Sequence, residues 1–189
     1  MLKLVKARRT IRFFEQKPVP EEVLRHMIDG ARVTSCAGNM QQLRYVVVTT
    51  PDTAEQVFAQ TAWAAMVRPK RNPEWGKNAA PAYIAVLGPS DAAPIIHADA
   101  GAAIQSMQLI AEANGLGSCW LGAIQREPLR KILQVSPAQQ VMYLLAVGYP
   151  AEKPTSEDVS AGTSLRYYLD DQDVLHVPKL ALTDVARWC

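Results

Sequence analysis

The chain has 189 residues, with 20 Lys and Arg against 18 Asp and Glu and a formal net charge of +2. Hydrophobic residues make up 49% and charged residues 20%, which is ordinary for a folded globular protein and far from a disordered chain. Near-balanced charge offers no basic stripe for nucleic acid or an acidic membrane; three scattered cysteines, Cys36, Cys119 and Cys189, make neither a disulfide framework nor a zinc site and suit a reducing, cytoplasmic setting.

The N-terminal MLKLVKARRT lacks a long apolar core and a small-residue cleavage site, so no secretory signal is read. A first helix is predicted over Leu2 to Lys6. A second starts near Pro20, where proline suits the first helical position and Glu21 and Glu22 favour the positive end of the dipole. Val23, Leu24, Met27, Ile28 and Ala31 mark its apolar face. TSCAGNMQQ, from Thr34 to Gln42, is small, polar and aperiodic, and reads as a loop. YVVVTT, from Tyr45 to Thr50, is β-branched and reads as a strand. Pro51-Asp52-Thr53 offers a turn and cap for a helix over Ala54 to Ala65. Arg68 to Lys77, with two prolines and a glycine among charges, is expected to be a long exposed loop and a candidate lid.

Ala82 to Leu87 reads as the next strand. The segment from Ile95 to Asn114 is expected to be a central helix. Its small and apolar residues occupy nearly every face, which predicts burial on most sides. His97, Asp99, Gln105, Gln108 and Glu112 interrupt the same stretch and argue against a membrane span. Gly115 and Gly117 end the helix. Ser118 to Leu121 is a short strand or turn, Arg126 to Leu133 a short helix with Pro128 in its first turn, and Val141 to Val147 a fourth strand. The remainder, Ala151 to Cys189, is polar, with strand-like pieces near 165–169 and 174–177 and no core of its own. It is expected to lie across another surface. Irregular alternation of helices and strands predicts an α+β fold with helices on both faces of a sheet.

Three segments could carry chemistry. Arg8, Arg9, Thr10 and Arg12 put three guanidinium groups and a hydroxyl within five residues. Forked donors of this kind match a phosphate; a solvated basic patch at a helix end is the commoner fate. The loop Ser35-Cys36-Ala37-Gly38-Asn39-Met40-Gln41 could support a flat ring and take its polar edge with an amide; equally, it is a plain helix-to-strand connection. Gly115-Leu116-Gly117-Ser118-Cys119-Trp120-Leu121-Gly122 could let backbone N–H groups approach a ligand. It could as well be a helix cap followed by a buried strand, and it is not a GxGxxG fingerprint, since it follows a helix. Cys36 or Cys119 could pair with His26, His97 or His176 as a nucleophile, without any local motif in support. No HExxH, CxxC or carboxylate cluster supports a metal.

In this order the segments resemble the nitroreductase family of flavoproteins. RRTIRFF resembles the family's opening Arg-Arg-Ser-x-Arg-x-Phe, and TSCAGNMQQLRYVVV resembles its Ala-Pro-Ser-Ala-x-Asn-x-Gln-Pro-Trp-x-Phe followed by a strand. DAGAAIQSMQLIAEANGLGSCWLG resembles the central helix and the turn after it, and VGYP the closing Gly-Tyr-Pro. The resemblance covers about residues 3 to 150.

The resemblance implies an α+β, nitroreductase-like chain of one domain over 1–189, with a central mixed or antiparallel sheet flanked by helices in an intertwined homodimer. FMN would lie at the subunit interface, and the 151–189 arm would pack on the partner. Arg8, Arg9 and Thr10 would hold the FMN phosphate. Arg12 would sit near the pyrimidine edge of the ring, stabilising the charge that develops there on reduction. Ser35, Cys36, Ala37 and Asn39 of the other subunit would cover the ring, and Cys119, Trp120, Leu121 and Gly122 would line it. NADH or NADPH would reduce the flavin, and a small acceptor such as a nitroaromatic or quinone would then reoxidise it in ping-pong fashion. Ser35 and Gln42 stand where the family has prolines, Cys36 where it has serine and Leu43 where it has tryptophan. The family's basic residue near the phosphate in the C-terminal tail is missing from Ala161-Gly162-Thr163, leaving Arg166 as a substitute. A flavin-binding carrier or sensor with little turnover, and a flavin-free cysteine-dependent enzyme, are the alternatives.

Overall fold

The computed structural model describes residues 1–67 and 69–189. Its centre is a four-stranded antiparallel sheet in the order β1-β2-β4-β3. These strands are β1 (Arg44–Val48), β2 (Ala82–Pro89), β3 (Gly117–Leu121) and β4 (Gln139–Gly148). Strands β2 and β4 are apolar almost throughout because the sheet buries both faces. From β2, Ile84 and Val86 join one core and Tyr83, Ala85 and Leu87 the other. The two-residue period of a strand makes that partition automatic.

One face is covered by α2 (Glu21–Arg32) and α4 (Pro94–Ala113), with α1 (Leu2–Ala7) also against α4. The other carries α3 (Pro51–Phe58) and α5 (Arg126–Ile132). In α2 the expected apolar stripe buries Leu24, Met27 and Ala31 fully and Val23 and Ile28 partly. The helices on both faces agree with the α+β expectation.

Helix α4 is less buried than its composition suggests. Ile96, Asp99, Ala100, Ala103, Ile104, Met107, Gln108 and Ala111 form a buried stripe at helical spacing. Ile95, His97 and Ala98 are exposed, and Gly101, Ala102 and Gln105 half-buried. Outside the stripe the helix makes only scattered contacts with its own chain, such as His97 with Tyr143 and Gly101 beside Trp120.

A Schellman motif ends α4. Leu116 N–H donates to Ala111 O at 2.9 Å and Gly115 N–H to Glu112 O at 3.1 Å, with Gly115 at φ +72°. Helix α3 begins at Pro51, as a proline at the first position allows, and ends at Phe58 rather than Ala65. The chain must turn there because Thr61 forms an antiparallel bridge with Ile124.

Beyond β4 lies a small second sheet, β5-β7-β6, made of β5 (Thr155–Val159), β6 (Tyr168–Leu169) and β7 (Leu175–Leu180), followed by α6 (Leu182–Val185). Strand β5 pairs parallel with β7, and β6 antiparallel. The piece expected over 165–169 shortens to two residues, and that at 174–177 extends to Leu180. Strand β5 has no counterpart in the expectations, because TSEDV has no apolar alternation to announce it.

Candidate functional site

Residues Thr10 to Arg12 run along the free edge of β3. Thr10 bridges Ser118 in parallel, and Ile11 N–H donates to Ser118 O at 3.0 Å. What permits this close approach is Gly117, since a Cβ there would lie 2.6 Å from Cγ1 of Ile11. The edge pairing carries Arg12 to the rim of a cleft of about 280 Å³. Thr10, Arg12, Cys119, Trp120, Leu121 and Gly122 border it on one side, and Ala62 to Ala65 on the other. The first and third chemistry-bearing segments thus meet in one place.

Arg8 and Arg9 lie just before this edge and are half-buried. Each has a buried Nε without a hydrogen-bond partner among the described residues. Burial holds the Arg8 guanidinium below the ordinary arginine range, Arg9 adds repulsion, and Glu112 partly opposes both. Arg9 otherwise donates from Nη2 to Lys6 O at 2.9 Å. Two adjacent, partly desolvated cations with unused donors are chemically suited to an anion.

The second segment lies elsewhere in the chain. The 34–42 loop contains a single 3-10 turn, Ala37–Asn39, with Gly38, Asn39 and Gln41 at positive φ. Ala37 N–H donates to the buried carboxylate of Asp99 at 3.0 Å and so fastens the loop to α4. Ser35 and Cys36 border a separate cavity of about 260 Å³ with Tyr45, Asp99 and Ala103. Ser35, Cys36, Ala37 and Asn39 are therefore not brought to the Arg12 cleft within one chain.

Trp120 borders the cleft, and its ring lies edge-on to Tyr143 with centroids 5.2 Å apart. Tyr143 in turn meets His97 Nδ1 at 3.0 Å. His26 faces Glu22, and His176 lies between Asp170 and Glu157. Each histidine thus has a neighbour other than a cysteine. Burial pushes the Cys119 thiol up to about 12, against the opposing effect of Arg12. A thiol held neutral in this way is a poor nucleophile.

Of the expected 68–77 loop, Arg68 lies outside the described residues. Of the rest, Pro69, Lys70, Asn72, Glu74, Gly76 and Lys77 are exposed as expected, and Arg71, Pro73 and Trp75 are not. Pro73 is buried, and Trp75 packs on Phe58 with ring centroids 5.8 Å apart. Lys70 Nζ meets Asp173 Oδ1 at 3.1 Å, and Arg71 donates to the Asp173 carbonyl. Arg166 is exposed.

Two residues of the site region had no signal in the sequence. Glu152 is nearly buried, and its Oε1 accepts Arg12 N–H at 2.5 Å and Phe13 N–H at 3.2 Å. The Tyr167 ring lies under the Arg12 guanidinium, 5.0 Å from its centroid. Both follow Gly148 in polar sequence, where neither spacing nor composition singles them out.

The sequence profile of the nitroreductase family matches residues 5–149. The chain belongs to the nitroreductase family. That range contains the Arg8–Arg12 segment, the 35–39 loop and the 117–122 strand, and membership makes the chain an oxidoreductase in general class. A protein of Methanothermobacter thermautotrophicus, assigned as an NADH dehydrogenase/NAD(P)H nitroreductase, is 26% identical over 95% of this chain and 87% of its own length. An NADH dehydrogenase of Thermus thermophilus is 29% identical over 77% of this chain and 84% of its own. Among solved structures, a protein of Desulfovibrio desulfuricans assigned as a nitroreductase, in complex with FMN, is 28% identical with a TM-score of 0.69. It covers 85% of this chain, which covers 91% of it. Nitroreductase-family membership also accounts for the antiparallel sheet flanked by helices. Among the described residues no group of His, Cys, Asp and Glu could hold a metal, and no helix is long and apolar enough to cross a membrane.

Proposed function

We propose that the chain is an FMN-dependent NAD(P)H oxidoreductase in which Arg8, Arg9 and Thr10 hold the flavin phosphate and Arg12 addresses the ring. The observation that carries this reading is the edge pairing of Thr10–Ile11 with Ser118, which sets a cationic segment beside a cleft bordered by Cys119 to Gly122. The residues present fit the group: the unpartnered Nε donors of Arg8 and Arg9 suit a phosphate, and the cleft beside Arg12 suits part of a flat ring. Bound FMN would supply the redox chemistry, accepting hydride equivalents from NADH or NADPH and delivering them to a nitroaromatic, quinone or similar small acceptor.

The chain's own part is position and charge. Arg8 and Arg9 neutralise an anion, and Thr10 adds a hydroxyl donor. Arg12 presents a fixed positive charge where negative charge develops on reduction, and needs no reorganisation to do so. Leu121 and the neighbouring Ala64 narrow the cleft and exclude water, being buried and apolar.

A second copy of the chain completes the site in this reading. Ser35, Cys36, Ala37 and Asn39 lie away from their own chain's cleft. The less covered part of α4, with exposed Ile95 and Ala98 and half-buried Ala102, offers a face for helix contact across a homodimer. Three free cysteines accord with a cytoplasmic, reducing location.

The test is the visible spectrum of the protein after incubation with FMN and desalting, before and after anaerobic NADPH and then NADH. A flavin spectrum that bleaches is expected. A bound flavin that neither nicotinamide bleaches would make the protein a carrier or sensor. A colourless protein would overturn the reading. The flavin-free cysteine alternative fits poorly with a Cys119 thiol pushed up to about 12.

A further inference from the structure

The C-terminal segment grips Arg12 at both ends of the residue. At the backbone, Glu152 Oε1 accepts the N–H of Arg12 at 2.5 Å and of Phe13 at 3.2 Å. The Glu152 side chain is 6% exposed and that of Arg71 13%, with Arg71 Nε 3.8 Å from Oε2. Arg71 also lies over the Phe13 ring, 5.0 Å from its centroid. At the guanidinium, Tyr167 supplies a ring face at 5.0 Å, and its hydroxyl accepts Met66 N–H at 3.3 Å. Met66 directly follows the Ala62–Ala65 wall of the cleft.

These contacts are more than packing. A carboxylate taken out of water is costly unless it is paired; here Oε1 takes two main-chain donors, while Oε2, without a hydrogen bond among the described residues, has only the Arg71 cation nearby at 3.8 Å. Arginine has long rotamer freedom, and a ring beneath its plane selects one orientation. An unrestrained guanidinium would spread its charge over many positions, most of them away from the cleft.

We infer that Glu152 and Tyr167 are positioning residues: Glu152 fixes the main chain of Arg12, and Tyr167 fixes its guanidinium at the cleft. Residues outside the 5–149 span that defines the family thereby tune the reacting centre. The inference rests on the proposed role of Arg12 at the flavin.

Two measurements test it. In the flavin-free protein, amide hydrogen exchange is compared between wild type, Glu152→Ala and Glu152→Gln. The amides of Arg12 and Phe13 should exchange faster in Glu152→Ala and be partly re-protected in Glu152→Gln, whose carbonyl can still accept. Ile11 and Phe14, bonded to Ser118 O and Asn78 O, should stay protected. Unchanged exchange at Arg12 and Phe13 would overturn the role of Glu152.

For Tyr167 the readout is the midpoint potential of the bound flavin in wild type, Arg12→Ala, Tyr167→Ala and the double variant. Tyr167→Ala should shift the potential in the same negative direction as Arg12→Ala, by no more, and should add nothing in the Arg12→Ala background. If Arg12→Ala shifts the potential and Tyr167→Ala does not, the positioning role fails. If Arg12→Ala itself has no effect, the proposed role of Arg12 fails instead, and the positioning inference falls with it.

Discussion

The backbone N–H of Arg12 donates to the carboxylate of Glu152 at 2.5 Å, across 140 residues of chain. The same oxygen takes the N–H of Phe13. Truncation to alanine would leave both donors without a partner. Each buried donor so abandoned costs about 1–3 kcal/mol. Glu152→Ala should therefore lose roughly 2–6 kcal/mol in chemical denaturation, and Glu152→Gln clearly less. Equal losses in the two variants would mean that the carboxylate, and not its accepting oxygen, is what matters.

Arg8 and Arg9 predict the opposite balance. Desolvation depresses Arg8, and the buried Nε atoms have no partner among the described residues. Removing such a charge takes away an unfavourable term from the ligand-free fold. Arg8→Ala should therefore leave the stability of the flavin-free protein unchanged or raised. It should weaken FMN binding by about 10- to 100-fold, the worth of one charge-assisted hydrogen bond. Quenching of free FMN fluorescence on titration measures the second effect and thermal unfolding the first. Undiminished affinity would remove Arg8 from the clamp.

How much of this was legible in the chain differs by residue and for physical reasons. The α2 stripe is a periodic signal, so Leu24 and Met27 could be placed from sequence, whereas the continuous apolar run of β2 marked a strand without saying which residues face which core. Arg8 to Arg12 and Cys119 to Gly122 were legible as local chemistry, and the edge of β3 sets Thr10 and Arg12 beside Cys119 to Gly122. The end of α3 was not legible, because the Thr61–Ile124 bridge that stops it is tertiary. Glu152 and Tyr167 were not legible either. They lie in a polar tail whose strand β5 has no apolar alternation, 140 and 155 residues from their partner Arg12. The less covered part of α4 looked buried by composition, since small residues report only that something can come close.

The C-terminal sheet should respond to pH through His176. Hydrogen bonding to Asp170 raises the histidine above its ordinary 6.5, against the opposing effect of burial, and Glu157 adds a smaller raising effect. Its contribution is fully present below about 6.5 and is lost as pH rises through the raised folded value. Asp170 is lowered from 3.8 by the Val174 N–H and by His176. That contribution is present above 3.8 and is lost as pH falls through the lowered value. Amide protection over 155–180, taken relative to the intrinsic exchange rate at each pH, should thus be greatest between those limits, and His176→Phe should abolish its alkaline loss. An alkaline change that persists in His176→Phe would assign it to another group.

Cysteine accessibility gives a direct check on the cleft floor. With its thiol pushed up to about 12 by burial, Cys119 stays protonated at pH 8. Iodoacetamide followed by mass spectrometry should label the exposed Cys189 in the native protein and leave Cys119 intact until denaturant is added. Rapid native labelling at Cys119 would contradict its burial and revive a thiol-based activity.

Gly117 is the residue on which the assembly of the cleft depends. A Cβ there would meet Ile11 at Cγ1 (2.6 Å) and at Cβ (2.8 Å), and the latter atom is too close to its own backbone to swing aside. Ile11 is buried in the core beneath α3 and α5, so it cannot simply turn outward. Gly117→Ala must push the 10–12 segment off the edge of β3, breaking the Ile11–Ser118 hydrogen bond and displacing Thr10 and Arg12 together. Overpacking of this kind costs about 1–3 kcal/mol. The loss in FMN affinity should exceed what either Thr10→Ala or Arg12→Ala produces alone, because one methyl group moves both. Gly115→Ala is the control. It strains a residue at φ +72° with nothing near its Cβ, so it should lower stability by about 1 kcal/mol and leave cofactor affinity nearly intact. Equal affinity losses in the two glycine variants would mean that the helix end, rather than the seat of Ile11, sets the geometry of the site.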